Sequence, residues 1–270
     1  MSSPTPSRRG LIAASAWTVP AVVLASSAPA FAGSGKVCGP LTYGVTWKSP
    51  NYAFTPNSAG VPNGAGQGRV VANPLGGVVP ANLARDREAL LVTVTNKLNG
   101  GRVRGASASD GAANMRVSPF GVGGLGVSGL TVMQDFASNV ALPTPRSAHG
   151  QTLTLQFSRP VKNLRFTITD IDSSSGQYRD RVWVSQPPNA VRAASGIRGT
   201  GTQGDPWRQR YNTSSFDPDS EGGGNVTLTY GDTAMSTLQI HFWNDQPNAL
   251  SGNGLQGIFL SSLEFTASTC

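Results

Sequence analysis

The sequence predicts an all-β protein, an antiparallel two-sheet β-sandwich and in its finer form a jelly-roll. Three observations carry this. Beyond residue 33 no long stretch repeats its apolar residues with helical period; short runs alternate apolar and polar residues instead. Turn residues separate those runs, in a chain with 33 glycines and 19 prolines among 270 residues. Charged residues make up only 13%, which completes the pattern of many short strands joined by turns.

Taken in order, LTYGVTW (residues 41–47) is the first clear strand, and RVVA (69–72) is a weaker one. PANLARDREA (80–89) is the single stretch that suits a short helix. ALLVTVTN (89–96) alternates cleanly, whereas GRVRG (101–105), MRVS (115–118) and LTVMQDF (130–136) are weaker strands. The remaining clear strands are QTLTLQF (151–157), VKNLRFTITDI (161–171), DRVWV (180–184), NVTLTY (225–230), STLQIHFW (236–243) and GIFLSSLEF (257–265). AGVPNGAGQG (59–68) and GVGGLGVSG (121–129) read as loops or weakly paired edges. The second has a GxGxxG-like spacing without the flanking strand and helix that dinucleotide binding requires. Residues 200–224 form a long insertion rich in acids and aromatics, the kind of loop that is usually functional or disordered.

The first 32 residues read as a cleaved export signal and residues 33–270 as one domain. Arg8 and Arg9 precede an uncharged apolar stretch, in the manner of a twin-arginine signal, and Ala30, Phe31 and Ala32 form an AxA-type cleavage site. An ordinary secretory signal is the alternative. Pro20 interrupts an apolar stretch already shorter than a membrane span, and no other segment approaches one, so no stable membrane anchor is expected. The expected location is secreted or cell-wall associated. Without the two signal arginines, 19 basic residues face 14 acidic ones, a net charge of +5. The arginines are scattered rather than grouped with aromatics, which argues against nucleic acid and suits loose attraction to anionic wall polymers.

Cys38 and Cys270 lie at opposite ends of that domain. In an oxidising compartment a disulfide is the default, with two free thiols as the alternative, and the bond requires adjacent termini and hence one compact domain.

The stretch TITDIDSSSGQYRDRVWV (167–184) concentrates acids in a chain that has few. Alternate residues on a strand share a face, so Asp170 and Asp172 continue the inward side of Leu164, Phe166 and Ile168. Asp180 shares the side of Val182 and Val184. A hairpin through SSSGQ then brings the three carboxylates together at one end of the sandwich. Two compensations are open: a Ca²⁺ ion held by Asp170, Asp172 and Asp180, with Ser173, Ser174 and Asn244 or Asp245 adding oxygens, or salt bridges to Arg179 and Arg181. The spacing is not that of an EF-hand.

The run FSRPVKNLRFTITDIDSSSGQYRDRVWV, the closing GIFLSSLEFTA and the RRG…APAFA signal together resemble the jelly-roll β-sandwiches of secreted and cell-wall-associated bacterial proteins, especially actinobacterial ones. The resemblance spans the signal and about half of the remaining chain. It implies a fold shared with lectins and carbohydrate-binding modules, and it brings no catalytic residues with it.

Trp207, Tyr211 and Trp243 fall in or beside loops, where they either stack on sugar rings or cover the core. With two histidines, no nucleophile elbow and no zinc ligand set, catalysis has little support, although Asp217, Asp219 and Glu221 in the insertion could be nominated for a polysaccharide hydrolase. The expectation is therefore a non-enzymatic binding protein whose partner is a cell-wall glycan or a surface protein. A structural or adhesive protein without a small ligand is the first alternative and the hydrolase the second.

Overall fold

The structure is a computed structural model and describes residues 37–48, 50–81, 89–136, 139–212 and 215–270. The export signal and the helix expected within residues 80–89 fall largely outside these. Residues Lys36–Cys270 form one compact unit. Among the described residues the chain forms β1 (Pro40–Val45), β2 (Tyr52–Pro56), β3 (Gly66–Val71), β4 (Asn73–Pro74), β5 (Leu91–Asn99), β6 (Val103–Gly105), β7 (Val117–Gly121), β8 (Ser128–Phe136) and β9 (Gly150–Thr169). These are followed by β10 (Ser173–Ser174), β11 (Tyr178–Val184), β12 (Ala190–Ala193), β13 (Ile197–Arg198), β14 (Arg208–Gln209), β15 (Val226–Thr229), β16 (Met235–Asn244), β17 (Gln256–Leu260) and β18 (Leu263–Ser268). The protein is all-β and its strand pairs are antiparallel.

The twenty residues of β9 organise the rest. Its first half lies between β5 and β16, and β11 continues the sheet beyond β16. Its second half pairs with β15 on one side and with β18 and then β17 on the other, while β1 lies outside β18. One strand thus takes part in two sets of pairings, an arrangement consistent with a sandwich. A single hydrophobic cluster joins both sets: Val92, Val94, Leu153 and Leu155 from the first, and Leu164, Phe166, Ile168, Leu228 and Phe265 from the second. Burying residues of this size stabilises by about 1.5–3 kcal/mol each.

The two segments expected as separate strands, 151–157 and 161–171, are therefore one. Pro160 is tolerated because a proline removes only one ladder donor, and the strand relaxes at Asn163, whose left-handed φ of 53° turns its N–H to Gly231 O at 2.9 Å. The opposite happens in GIFLSSLEF, which divides into β17 and β18. Ser261 leaves the ladder there: its hydroxyl accepts the Thr167 N–H at 2.9 Å and its carbonyl accepts Trp47 Nε1–H at 2.8 Å.

Cys38 and Cys270 form a disulfide with Cα atoms 5.5 Å apart, just outside the Pro40↔Ser268 pair of β1 and β18. Among the described residues no helix is long and apolar enough to cross a membrane.

Candidate functional site

Strand β11 divides the chemistry of the molecule between two faces. Asp180, Val182 and Val184 point to one side and are buried, while Arg181 and Trp183 point to the other. The aspartates gather on the first side and an open cleft on the second.

On the aspartate side, β10 and β11 make the expected hairpin, pairing Ser173 with Arg179 and Ser174 with Tyr178 around a turn that needs the positive φ of Gly176 (74°). The hairpin brings Asp172 and Asp180 together. Asp172 N–H donates to Asp180 Oδ2 at 3.2 Å, and Asp180 N–H donates to the Asp172 carbonyl at 3.0 Å. Asp172 is 3% exposed, and its Oδ2 accepts Phe216 N–H at 2.7 Å from the insertion. Asp170 closes β9 in a left-handed conformation (φ 66°), and Ile171 N–H beside it is held by Gly224 O at 3.1 Å. Asp170 Oδ1 and Asp180 Oδ1 are buried without a hydrogen-bond partner.

Burial raises all three carboxyls. Asp172 is pushed up to about 7 by desolvation, against the Phe216 N–H and the Tyr178 hydroxyl, which favour its charged form. Asp170 and Asp180 are raised well above the usual carboxylate range, by burial first and then by Asp172. Burial together with the neighbouring carboxylates likewise raises Tyr178.

The arginines do not neutralise this group. Arg181 forms its ion pair with Asp245 Oδ2 at 3.0 Å and reaches Asp180 only at the backbone carbonyl, 2.8 Å from Nη1. Arg179 contributes its backbone N–H, to Asn244 Oδ1 at 3.1 Å. That Asn244 oxygen also accepts Gln246 N–H, so it serves the turn after β16. As the side chains stand, no three of His, Cys, Asp or Glu among the described residues are placed to hold a metal ion.

A carboxyl whose folded value is raised holds its proton more tightly in the native state. Its contribution to stability is present in full below the ordinary value of 3.8 and is lost as pH rises through about 7. His241 acts in the opposite sense, because burial lowers it: its contribution is present above the unfolded value of 6.5 and is lost as pH falls through its lower folded value. With three raised aspartates against one histidine, the melting temperature in chelating buffer should fall between about pH 5 and pH 8. Asp180→Asn keeps a side-chain oxygen for Asp172 N–H and removes a charge, so it should flatten this slope and raise the melting temperature at the alkaline end. Calorimetry across pH checks both, and a wild-type melting temperature that climbs over that range contradicts the assignment.

On the other face, Arg181 pairs across the ladder with Trp243, and Trp183 with His241. His241 lies between the two indoles, with ring centroids at 5.8 and 5.4 Å. Its Nε2 lies 2.7 Å from Ser147 O and its Nδ1 2.9 Å from Thr152 Oγ1, an arrangement met by a neutral ring that donates from Nε2 and accepts at Nδ1. Above Trp243 opens a cleft of about 440 Å³, lined among others by Arg146, Arg181, Gln203, Asp205, Arg208 and Asp245. Arg208 Nη1 binds Asp205 Oδ1 at 2.7 Å, which holds that carboxyl below its usual value.

The insertion builds both sites. Its Trp207 forms a β-bridge with Val182, with N···O distances of 2.8 and 3.1 Å, and so covers the outer edge of β11.

The three aromatic candidates therefore part company. Trp207 is 0% exposed and belongs to the hydrophobic core, the covering role weighed for it above. Tyr211 is 72% exposed and does not line the cleft. Trp243 is 5% exposed and is among the residues that line the cleft. Sequence reasoning did not select Arg146, Gln203, Asp205 or Arg208 as cleft residues. The alternation in DRVWV was the available signal, since it sets Arg181 opposite Asp180. A second hollow of about 500 Å³, beside the disulfide, is bordered by Pro40, Pro160, Lys162 and Ala234 and has no acidic residue in its lining.

Asp217, Asp219 and Glu221 share one turn, whose Asp217 and Glu221 carboxylates bind its own backbone. Asp217 Oδ1 accepts Asp219 N–H at 2.9 Å and Ser220 N–H at 3.4 Å, which lowers the Asp217 carboxyl, and Glu221 Oε2 accepts Asp217 N–H at 2.6 Å. No family model matches the chain, and no match was found among curated proteins or solved structures.

Proposed function

We propose that this chain is an exported, non-enzymatic binding protein of the bacterial surface, and that it takes a carbohydrate with acidic groups in the cleft above Trp243. The observation that carries the reading is the convergence of Trp243, three arginines and two aspartates on the lining of a single concavity of about 440 Å³. An indole offers an apolar surface to sugar C–H groups. Guanidinium forks suit carboxylates and vicinal hydroxyls, while Asp205 and Asp245 accept hydroxyl protons. Three arginines against two aspartates leave the cleft cationic, which favours acidic over neutral sugars. The disulfide supports an oxidising location, and a jelly-roll scaffold, the resemblance noted above, suits this role by analogy.

A structural or adhesive protein without a small ligand is the second reading, favoured by how little of Trp243 is exposed. A polysaccharide hydrolase draws less support, because two of the three acids nominated for it, Asp217 and Glu221, are engaged with the backbone of their own turn. A glycan array containing neutral and acidic polymers separates these readings. Acidic glycans should bind in saturable fashion, and Arg208→Ala should weaken them about tenfold with little change in melting temperature. An array with no binder favours the structural reading. Turnover of a polysaccharide, lost on changing Asp217, Asp219 or Glu221, would establish the hydrolase.

A further inference from the structure

Asp170, at the end of β9, feels the charge of Asp110, Asp172, Asp217 and Glu221, and Asp180 feels that of Asp170 and Asp172, so six of the fourteen acidic residues centre on this end of the strand. In a chain with a basic excess this concentration calls for a physical reason. Asp180 supplies the independent observation. It is 0% exposed, its Oδ2 is engaged by the Asp172 N–H, and its Oδ1 has no partner. A carboxylate oxygen enclosed without a donor costs free energy that a cation or a proton must offset. Asp170 Oδ1 is in the same condition.

The opposite end of the group is the turn after Phe216. It is tied to the aspartates by Phe216 N–H on Asp172 Oδ2, and to the 121–126 loop by Gly123 N–H on Pro218 O at 2.6 Å and Gly124 N–H on Asp219 O at 2.8 Å. Among the described residues no salt bridge reaches any of these six acids. The group offers only oxygen, without imidazole or thiolate, which selects a hard ion. Its irregular layout, on three separate segments of chain, suits the variable coordination of calcium better than the strict octahedron of magnesium.

We propose that the carboxylates of Asp180, Asp172, Asp170 and Asp217, with Glu221 at the open end, bind a divalent cation of the calcium class. The ion draws the Asp217 and Glu221 side chains inward and fastens the 216–221 turn to the end of β9. This site is independent of the cleft on the opposite face of β11 and stands whether or not that cleft binds sugar. Its affinity belongs with extracellular calcium modules, whose dissociation constants are about 10⁻⁴–10⁻³ M.

The test uses the purified disulfide-bonded protein, with calcium and terbium as probes. Calcium at about ten times its dissociation constant should raise the melting temperature by about 3–6 °C over chelator. Terbium should give saturable luminescence sensitised by Tyr178, whose hydroxyl is raised by burial and by the neighbouring Asp172, Asp180 and Asp170 carboxylates, and calcium should displace it. Asp170→Asn and Asp180→Asn, each melting cooperatively in chelator, should abolish the calcium-dependent rise. Equal wild-type melting temperatures in calcium and chelator, with no saturable terbium signal, overturn the proposal. So does a calcium response that survives both substitutions. If either variant fails to fold, displacement of terbium from the wild type, present or absent, decides the matter.

Discussion

Reducing the Cys38–Cys270 disulfide, or replacing both cysteines with serine, is expected to lower stability by about 5 kcal/mol. The two residues are 232 positions apart, so the bond confines nearly the whole described chain in its unfolded state, where the chain-entropy model places the effect. For a domain of this length that corresponds to a fall in melting temperature of about 10–20 °C. The folded structure should change little, because β1 and β18 are already paired from Pro40↔Ser268 to Val45↔Leu263. Calorimetry with and without reductant, alongside an unchanged far-ultraviolet spectrum, checks this. A loss below about 1 kcal/mol would mean that those two strands remain associated in the denatured chain.

Trp207→Ala is the second large effect, expected to cost about 3–5 kcal/mol. The indole is 0% exposed, lies in the main hydrophobic cluster and packs directly over Gly201, where a φ of 74° and the ring together exclude any side chain. Its removal leaves a cavity in the main hydrophobic cluster, while the backbone bridge to Val182 is kept. Urea denaturation should show the loss in its midpoint, with Trp207→Phe intermediate. If Trp207→Ala lost glycan binding at unchanged stability, the ring would be a ligand platform instead. Gly201→Ala, which crowds the same ring, should also destabilise the fold.

Much of the architecture could be read from alternation. Strands such as β5, β11 and β16 show it plainly, because one face is covered and the other is mixed. The strand β2 escaped notice even though Tyr52 and Phe54 are both buried, since five residues ending in Pro56 give too short a run. All four residues of β12 are exposed, so its pairing with β15 leaves no hydrophobic signature. The division of GIFLSSLEF turns on the hydroxyl of Ser261, which no periodicity reports.

At the candidate site, the expected hairpin through SSSGQ does bring Asp172 and Asp180 together. Strand parity is an incomplete reason for Asp170 and Asp172, because β9 ends at Thr169 and Asp170 leaves it in a left-handed conformation. The cleft was less accessible to sequence reasoning. Its lining comes from residues 145–147, 181, 203–206, 208, 243 and 245, segments joined only once β11, β16 and the insertion have packed. The insertion itself was expected to be functional or disordered. It is held through the Trp207 bridge to the edge of β11 and the Phe216 N–H on Asp172.

The position of β9 also bears on how the chain reaches this state. The partners of its second half, β15, β17 and β18, all come from residues 226–268, and its first half needs β5 from well before it as well as β16. Few of these contacts are local, so loop closure must precede most of the gain, and folding belongs to the slow, topologically complex class. A nascent chain that has emerged only as far as residue 225 presents β9 with its apolar residues uncovered and its ladder half empty. Such a chain is a target for chaperones and a nucleus for aggregation until the last strands arrive.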